Sequence, residues 1–223
     1  MTERAKVQYM AEKSVTASEM EKWEKECGGF FPVLLEIERQ MAKSAEQRKK
    51  PVVVGIDGRC GSGKTSIAQI IAEIYPCNVF HMDDFFLPVE KRTDNWSHIP
   101  GGNIDFDRFR SEVLLPACKG ETVYYRPYDC SERSYGDTLT FRNCTLIIVE
   151  GSYSHHPLLA GMYDLKIFLT CSGEVQVKRL QEREKSYYST FKERWIPMEE
   201  NYFQSCSVEG NSDLIVNTDA IFP

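Results

Sequence analysis

The chain lacks the features that would point to secretion, structural zinc or a membrane. Its eight cysteines (Cys27, Cys60, Cys77, Cys118, Cys130, Cys144, Cys171 and Cys206) include no Cys-x-x-Cys pair, which argues against zinc-ribbon and dithiol redox motifs. Several sit in apolar, strand-like runs, where a reduced thiol packs as a small hydrophobe. No apolar run reaches the roughly 20 residues of a membrane-spanning helix. The start, Met1-Thr2-Glu3-Arg4-Ala5-Lys6, has no apolar signal core. These absences predict a reducing, cytoplasmic setting. A surplus of basic residues is also missing. Lys and Arg number 27 against 33 Asp and Glu, a net charge of −6. That balance speaks against a broad nucleic-acid surface, though not against a local site for a small anion. There is no internal repeat and no low-complexity tract. What remains is 223 residues, 42% apolar and 27% charged, ordinary for a globular domain with a full core.

Against that background one segment is specific. Gly58-Arg59-Cys60-Gly61-Ser62-Gly63-Lys64-Thr65 fits G-x-x-x-x-G-K-[ST]. Val52-Val53-Val54-Gly55-Ile56-Asp57 precedes it as a β-branched strand signal. After it, Ile67, Ile70, Ile71 and Ile74 recur at helical spacing, and Pro76 closes the helix. Strand, glycine turn and helix start together predict a phosphate cradle, or P-loop. Backbone N–H groups of Gly58, Gly61, Ser62, Gly63 and Ser66 turn toward the ligand, and the helix N-terminus adds partial positive charge. Lys64 is expected to reach the β- and γ-phosphates, and the Thr65 hydroxyl to ligate Mg²⁺.

Residues 14–50 read as helical and separate from the core. Thr16-x-x-Glu19 and Ser18-x-x-Glu21 are overlapping capping boxes, Gly28-Gly29 breaks the first helix, and Pro32 opens a second with Leu34, Ile37 and Met41 on one face. The division predicted is 1–50, an N-terminal helical extension, and 51–223, the main domain. In the latter, strand signals at 78–82, 145–149, 165–169 and 214–216 alternate with helices. Continuous apolar strands between helices predict an α/β fold, a parallel sheet of about five strands covered on both faces. The run at 145–149 is apolar throughout and predicts a central strand. Ligands of such folds bind beyond the carboxyl ends of the strands. Between the second and third strands, 122–126 and 138–141 predict a small β-hairpin or flap.

Polar residues cluster at those strand ends. Asp83 and Asp84 follow the second strand, placed to face a γ-phosphate, to hold Mg²⁺ or to take a proton from a hydroxyl; the alternative is an Asp pair capping the next segment. Glu150 ends the third strand, where a metal-directed carboxylate or a surface acid can stand. Lys178, Arg179 and Arg183 fall on the helix after the fourth strand, Arg179 and Arg183 on one face. They are either cations closing over a transferring phosphoryl group or a solvated face. His155-His156-Pro157 reads as a helix-entry turn. Cys60 lies inside the cradle, where oxidation could block nucleotide entry.

The ordered segments GIDGRCGSGKT, FHMDDFF, GGNIDFDRF, YRPYDC, IIVEGSY, YDLKIFL, KRLQER and SDLIV resemble the uridine kinase branch of the P-loop kinases, a group that includes phosphoribulokinase and bacterial pantothenate kinase. The resemblance spans about residues 51–217. It implies a P-loop NTPase fold with the flap on the acceptor side, ATP and Mg²⁺ as cofactors, and a small hydroxyl-bearing substrate. Asp83 matches the acid that accepts the 5′-hydroxyl proton; the Asp84 position is often Ser. Asp105 of Asn103-Ile104-Asp105 matches the acid that holds the ribose hydroxyls, and Thr65 and Glu150 match the Mg²⁺-directed pair. Arg179 and Arg183 fall where the lid arginines begin. Phe86, Tyr128 and Arg133 match acceptor-side positions. Departures lie on that same side. Phe86 replaces a common Tyr, Ile104 a Phe, and Arg133 falls near a base-contacting His. The lid reads Glu184-Lys185-Ser186-Tyr187-Tyr188 instead of Glu-Arg-Gly-Arg. The resulting expectation is transfer of the ATP γ-phosphate to a small-molecule hydroxyl, first of all the 5′-hydroxyl of a pyrimidine nucleoside. Alternatives are another hydroxyl compound (a ribosylated vitamin, a pantothenate-like compound or a sugar phosphate) and a regulatory ATP-binding module. Neither nucleic acid nor membrane is an expected partner; a homo-oligomer is allowed.

Overall fold

The computed structural model describes residues 7, 29–47, 50–183 and 185–222. In chain order the elements are α1 (Phe31–Gln47), β1 (Val52–Gly58), α2 (Lys64–Ile74) and β2 (Asn78–His81). A continuous helix, α3, follows as Phe106–Phe109, Arg110–Leu114 and Leu115–Cys118. Then come β3 (Val123–Tyr125), β4 (Tyr128–Asp129), β5 (Ser134–Tyr135), β6 (Leu139–Phe141) and β7 (Leu146–Glu150). The remainder is α4 (Pro157–Ala160), β8 (Leu165–Thr170), α5 (Gly173–Arg183), α6 (Tyr188–Thr190, Phe191–Trp195 and Ile196–Ser205) and β9 (Leu214–Asn217). No helix among the described residues is long and apolar enough to cross a membrane.

Five strands form one parallel sheet in the order β2-β7-β1-β8-β9. All of them fall where the sequence predicts strands. The apolar run at 145–149 becomes β7, an interior strand, while β1 holds the centre. Side chains alternate across the sheet with the period of two that a pleated strand imposes. Val52, Val54 and Ile56 join Ile148, Ile167, α1 and α2 in one core. Val53 joins Ile147, Val149, Phe168, α3 and α6 in the other. The chain leaves β1 toward β2 and β7 on one side and later fills β8 and β9 on the other. That reversal opens the crevice at the strand ends where ligands of such sheets bind.

The helix α1 corrects the reading of residues 14–50 as separate from the core. Phe31, Val33, Leu34 and Ile37 are wholly buried and pack with β1 and β8. The physical reason is the run Phe31-Pro32-Val33-Leu34-Leu35, too apolar for a solvated extension, which covers the sheet beside α2. The helix expected before Gly28 lies outside the described residues. Because Leu34 is buried to 0% exposure, Leu34→Ala is expected to cost about 2–5 kcal/mol of stability. Urea unfolding measures it; a change below about 0.5 kcal/mol, the size of a surface substitution, would return α1 to the status of an appendage.

Two helices widen by one residue just before a proline. The Leu115 N–H bonds the Arg110 carbonyl ahead of Pro116, and the Ile196 N–H bonds the Phe191 carbonyl ahead of Pro197. Proline supplies no N–H and crowds the preceding turn, so the ladder shifts to the wider register. The predicted flap is present: β3 pairs antiparallel with β6, and Tyr125 stacks on Phe141. A second short ribbon pairs β4 with β5.

Candidate active site

Parallel register sets the site. Ile56 lies beside Glu150, and Glu150 beside His81, so three strand ends meet in a row where the glycine loop begins. Gly58 has φ +143°, and a Cβ there would lie 2.0 Å from the Leu169 carbonyl oxygen. Only glycine can leave β1 at that angle. Gly63, with φ +91°, turns the chain into α2. The buried Ser62 hydroxyl oxygen has no hydrogen-bond partner, an orphan inside the loop that a phosphate group can satisfy. Lys64 Nζ donates to the carbonyls of Gly58 at 2.7 Å and Arg59 at 3.2 Å. The ammonium is thus folded back over the loop it would share with phosphates.

A cavity of about 330 Å³ opens above the loop, lined among others by Lys64, Thr65, Asp83, Asn103, Glu150 and Arg183. Thr65 Oγ1 donates to Glu150 Oε1 at 3.1 Å, bringing together the hydroxyl and carboxylate expected to hold Mg²⁺. Among the described residues no three His, Cys, Asp or Glu side chains form a metal-binding group. Mg²⁺ binds through one or two carboxylates, substrate phosphates and water, a donor set to which the Thr65–Glu150 pair can contribute. The other partner of Glu150 is His81, whose Nδ1 lies 2.6 Å from Oε1. The hydrogen bond to Glu150 raises the His81 pKa, against burial.

The two aspartates after β2 divide their roles. Asp84 Oδ2 accepts the Tyr125 hydroxyl from the flap at 2.7 Å. Asp83 lines the cavity and is an exposed residue. Enclosure by the surrounding protein pushes its pKa above the usual carboxylate range, helped by the Glu150 charge and opposed by Lys64.

Of the acceptor-side residues, Phe86 lines the cavity and bridges to Ile104. Asp105 lies outside the lining; its Oδ1 accepts the Arg108 N–H at 3.1 Å and caps α3. Asn103, two residues earlier, lines the cavity instead, with its buried Oδ1 unpartnered. Tyr128 packs edge-on against Tyr135, and Arg133 is an exposed turn residue with φ +51°. Neither lines the cavity. Arg183 does, near the ring of Phe191. Arg179, also expected among the closing cations, does not line the cavity. Its Nη1 donates to the Gly61 carbonyl and the Thr218 hydroxyl, and its Nη2 to the carbonyls of Thr218 and Phe222. Arg179 braces the loop against the segment after β9.

Sequence reasoning missed three groups. His81 stood inside a quoted motif, two residues before Asp83, and its place at a strand end was the available signal. Asn103 likewise stood inside a quoted motif. Glu199 gave no signal. It is buried on α6, where Oε2 accepts the Cys60 N–H at 2.9 Å and Oε1 accepts the Ser152 hydroxyl. The adjacent Glu200 holds Arg59 with two hydrogen bonds. Burial first, then Glu199, raise the Cys60 thiol far above its ordinary pKa. A thiol held protonated is a poor target for oxidation, which argues against redox control there. His156 fills the helix-entry role expected of it, its Nδ1 accepting the Leu158 N–H.

No family model matches the chain. A uridine kinase from Streptococcus uberis is 28% identical over 149 residues, 61% of this chain and 69% of the relative. A solved structure described as a possible uridine kinase from Bacillus stearothermophilus superposes with a TM-score of 0.60 at 18% identity, covering 81% of this chain and 99% of that one. A proposed fructose transport system kinase from Silicibacter sp. TM1040 gives the same TM-score at 19% identity, over 79% and 98%. The chain is thus similar in sequence to uridine kinases and shares the α/β fold of these two solved structures.

Proposed function

We propose that the protein transfers the γ-phosphate of ATP to a hydroxyl group of a small molecule, with the 5′-hydroxyl of a pyrimidine nucleoside as the first acceptor. The observation that carries this reading is the sharing of labour at one cavity. Phosphate loop, Thr65–Glu150 pair and Asp83 line the same space, while Asp84 is engaged by the flap. A nucleotide switch needs no second carboxylate open to an acceptor.

The chemistry follows from the groups in place. Asp83 orients the acceptor hydroxyl and takes its proton as the new O–P bond forms. The bridging bond between the β- and γ-phosphates breaks, and ADP leaves. Lys64 exchanges the Gly58 and Arg59 carbonyls for phosphate oxygens and neutralises charge on them. Arg183 reaches the same space from α5 and meets charge that grows on the transferring group. Thr65 and Glu150 would hold Mg²⁺, which supplies charge neutralisation on the phosphate oxygens. A raised Asp83 pKa makes its carboxylate a stronger proton acceptor.

The segment Asn103-Ile104-Asp105 is proposed to hold the acceptor's vicinal diol. Asn103 lines the cavity and its buried Oδ1 has no partner, while Asp105, outside the lining, keeps one oxygen beyond its capping bond. A ribonucleoside should then be preferred over its 2′-deoxy analogue by roughly ten- to a hundredfold in kcat/KM, from about 1–3 kcal/mol for a buried group left unpaired. Asp105→Asn retains the capping oxygen and should shrink that preference. Equal use of the two sugars by the natural protein would remove the diol role. Activity on a non-ribosyl alcohol alone would sink the nucleoside reading.

A further inference from the structure

Glu199 is a buried acid at the mouth of the phosphate loop, and the mechanism above does not use it. It comes from α6, 139 residues downstream of the loop residue it touches. Its carboxylate spans two donors, the Cys60 N–H on the loop and the Ser152 hydroxyl just after β7. Both residues line the same cavity as Asp83 and Arg183. Cys60 is the third residue of the loop that begins at Gly58, and it lines the cavity together with Lys64 and Arg183, the two cations that meet the phosphates in the proposed reaction. A loop N–H at that corner is a donor a terminal phosphate can use. Here a carboxylate already takes it. The flanking contacts fix the arrangement, because Glu200 ties Arg59 to the same turn of α6.

Resting on the ATP-dependent reading, we propose that Glu199 is an internal anion seated on the phosphate loop. It sets the discrimination between nucleoside tri- and diphosphates. A triphosphate must displace the carboxylate from the Cys60 amide, or accept its negative charge close to the γ-phosphate. A diphosphate ends one phosphate short of that corner and leaves the contact intact. The seat therefore lowers affinity for ATP selectively. Two carboxylates, Glu150 and Asp83, already face the cavity, so a third acid adds to the repulsion at its terminal-phosphate end.

The test is calorimetric affinity for ATP–Mg²⁺ and ADP–Mg²⁺ in the natural protein, Glu199→Gln and Glu199→Ala. Glutamine keeps an acceptor oxygen and nearly the same shape while removing the charge; alanine removes both. Each variant should bind ATP about tenfold more tightly, the fold-change that roughly 1.4 kcal/mol of relieved repulsion gives. ADP affinity should stay within about twofold, so the ATP-to-ADP affinity ratio rises in both. Melting without nucleotide confirms that the variants are folded. A merely structural Glu199 would weaken ATP and ADP together and leave the ratio alone; that result, or a lowered ratio, overturns the inference while leaving the kinase reading intact. Absence of any nucleotide binding by the natural protein overturns the ATP-dependent reading, and this inference with it.

Discussion

Lys64→Ala is expected to remove ATP–Mg²⁺ binding from the range that thermal stabilisation detects. The ammonium group is held by two backbone carbonyls of its own loop. It is not part of either hydrophobic core, so the variant should fold and melt close to the natural protein. What it loses is the point charge that meets the β- and γ-phosphates. A hydrogen bond to a charged group contributes about 1.5–3 kcal/mol, and in this enclosed site a like amount from charge neutralisation adds to it. Affinity should fall by roughly a hundredfold or more, and the nucleotide-dependent rise in melting temperature should vanish with it. Calorimetry with ATP–Mg²⁺ measures the loss. Unchanged affinity would show that the glycine loop is not the nucleotide site.

Asp83→Asn is expected to separate binding from chemistry. Asp83 lines the cavity, and the hydrogen bonds of Lys64 to its own loop do not involve it. Asparagine keeps the shape but cannot take a proton. Turnover should fall on the order of 10²–10⁴-fold, while ATP affinity changes little. The companion variant Asp84→Asn should be far milder, because Asp84 serves the flap through Tyr125. Single-turnover kinetics on both variants decide the assignment. A dead Asp84→Asn beside an active Asp83→Asn would reverse the roles of the pair.

Much of this site was legible because its signals are local. A β-branched run, a glycine-rich turn and an isoleucine stripe specify β1, the loop and α2 within 23 consecutive residues, 52–74. Each reports its own structure through side-chain period and backbone freedom. Glu150 and Asp83 were legible for the same reason, as acids at the ends of apolar strands. The less legible parts depend on packing between distant segments. Arg179 and Arg183 share a helix face, but one turn, about 5.4 Å, separates a brace for the loop from a cavity wall. Nothing in their spacing tells the two apart; the segment after β9, which supplies the carbonyls of Thr218 and Phe222, does. Nothing local marks Glu199 or Glu200; the path of α6 past the loop makes one buried and the other an ion-pair partner. The five apolar residues at the start of α1 decide its packing.

In the proposed reaction this cavity carries a phosphoryl group from ATP to an acceptor hydroxyl, with Asp83 as the base. Its most direct test is a screen of nucleosides and other small alcohols with ATP–Mg²⁺, the products read by mass. An acceptor should gain one phosphoryl group while ADP forms in equal amount, with ribonucleosides leading and the product nearly lost in Asp83→Asn. ATP binding that Lys64→Ala removes, beside no phosphorylated acceptor from any compound, would contradict the proposed reaction and leave a nucleotide-binding module in its place.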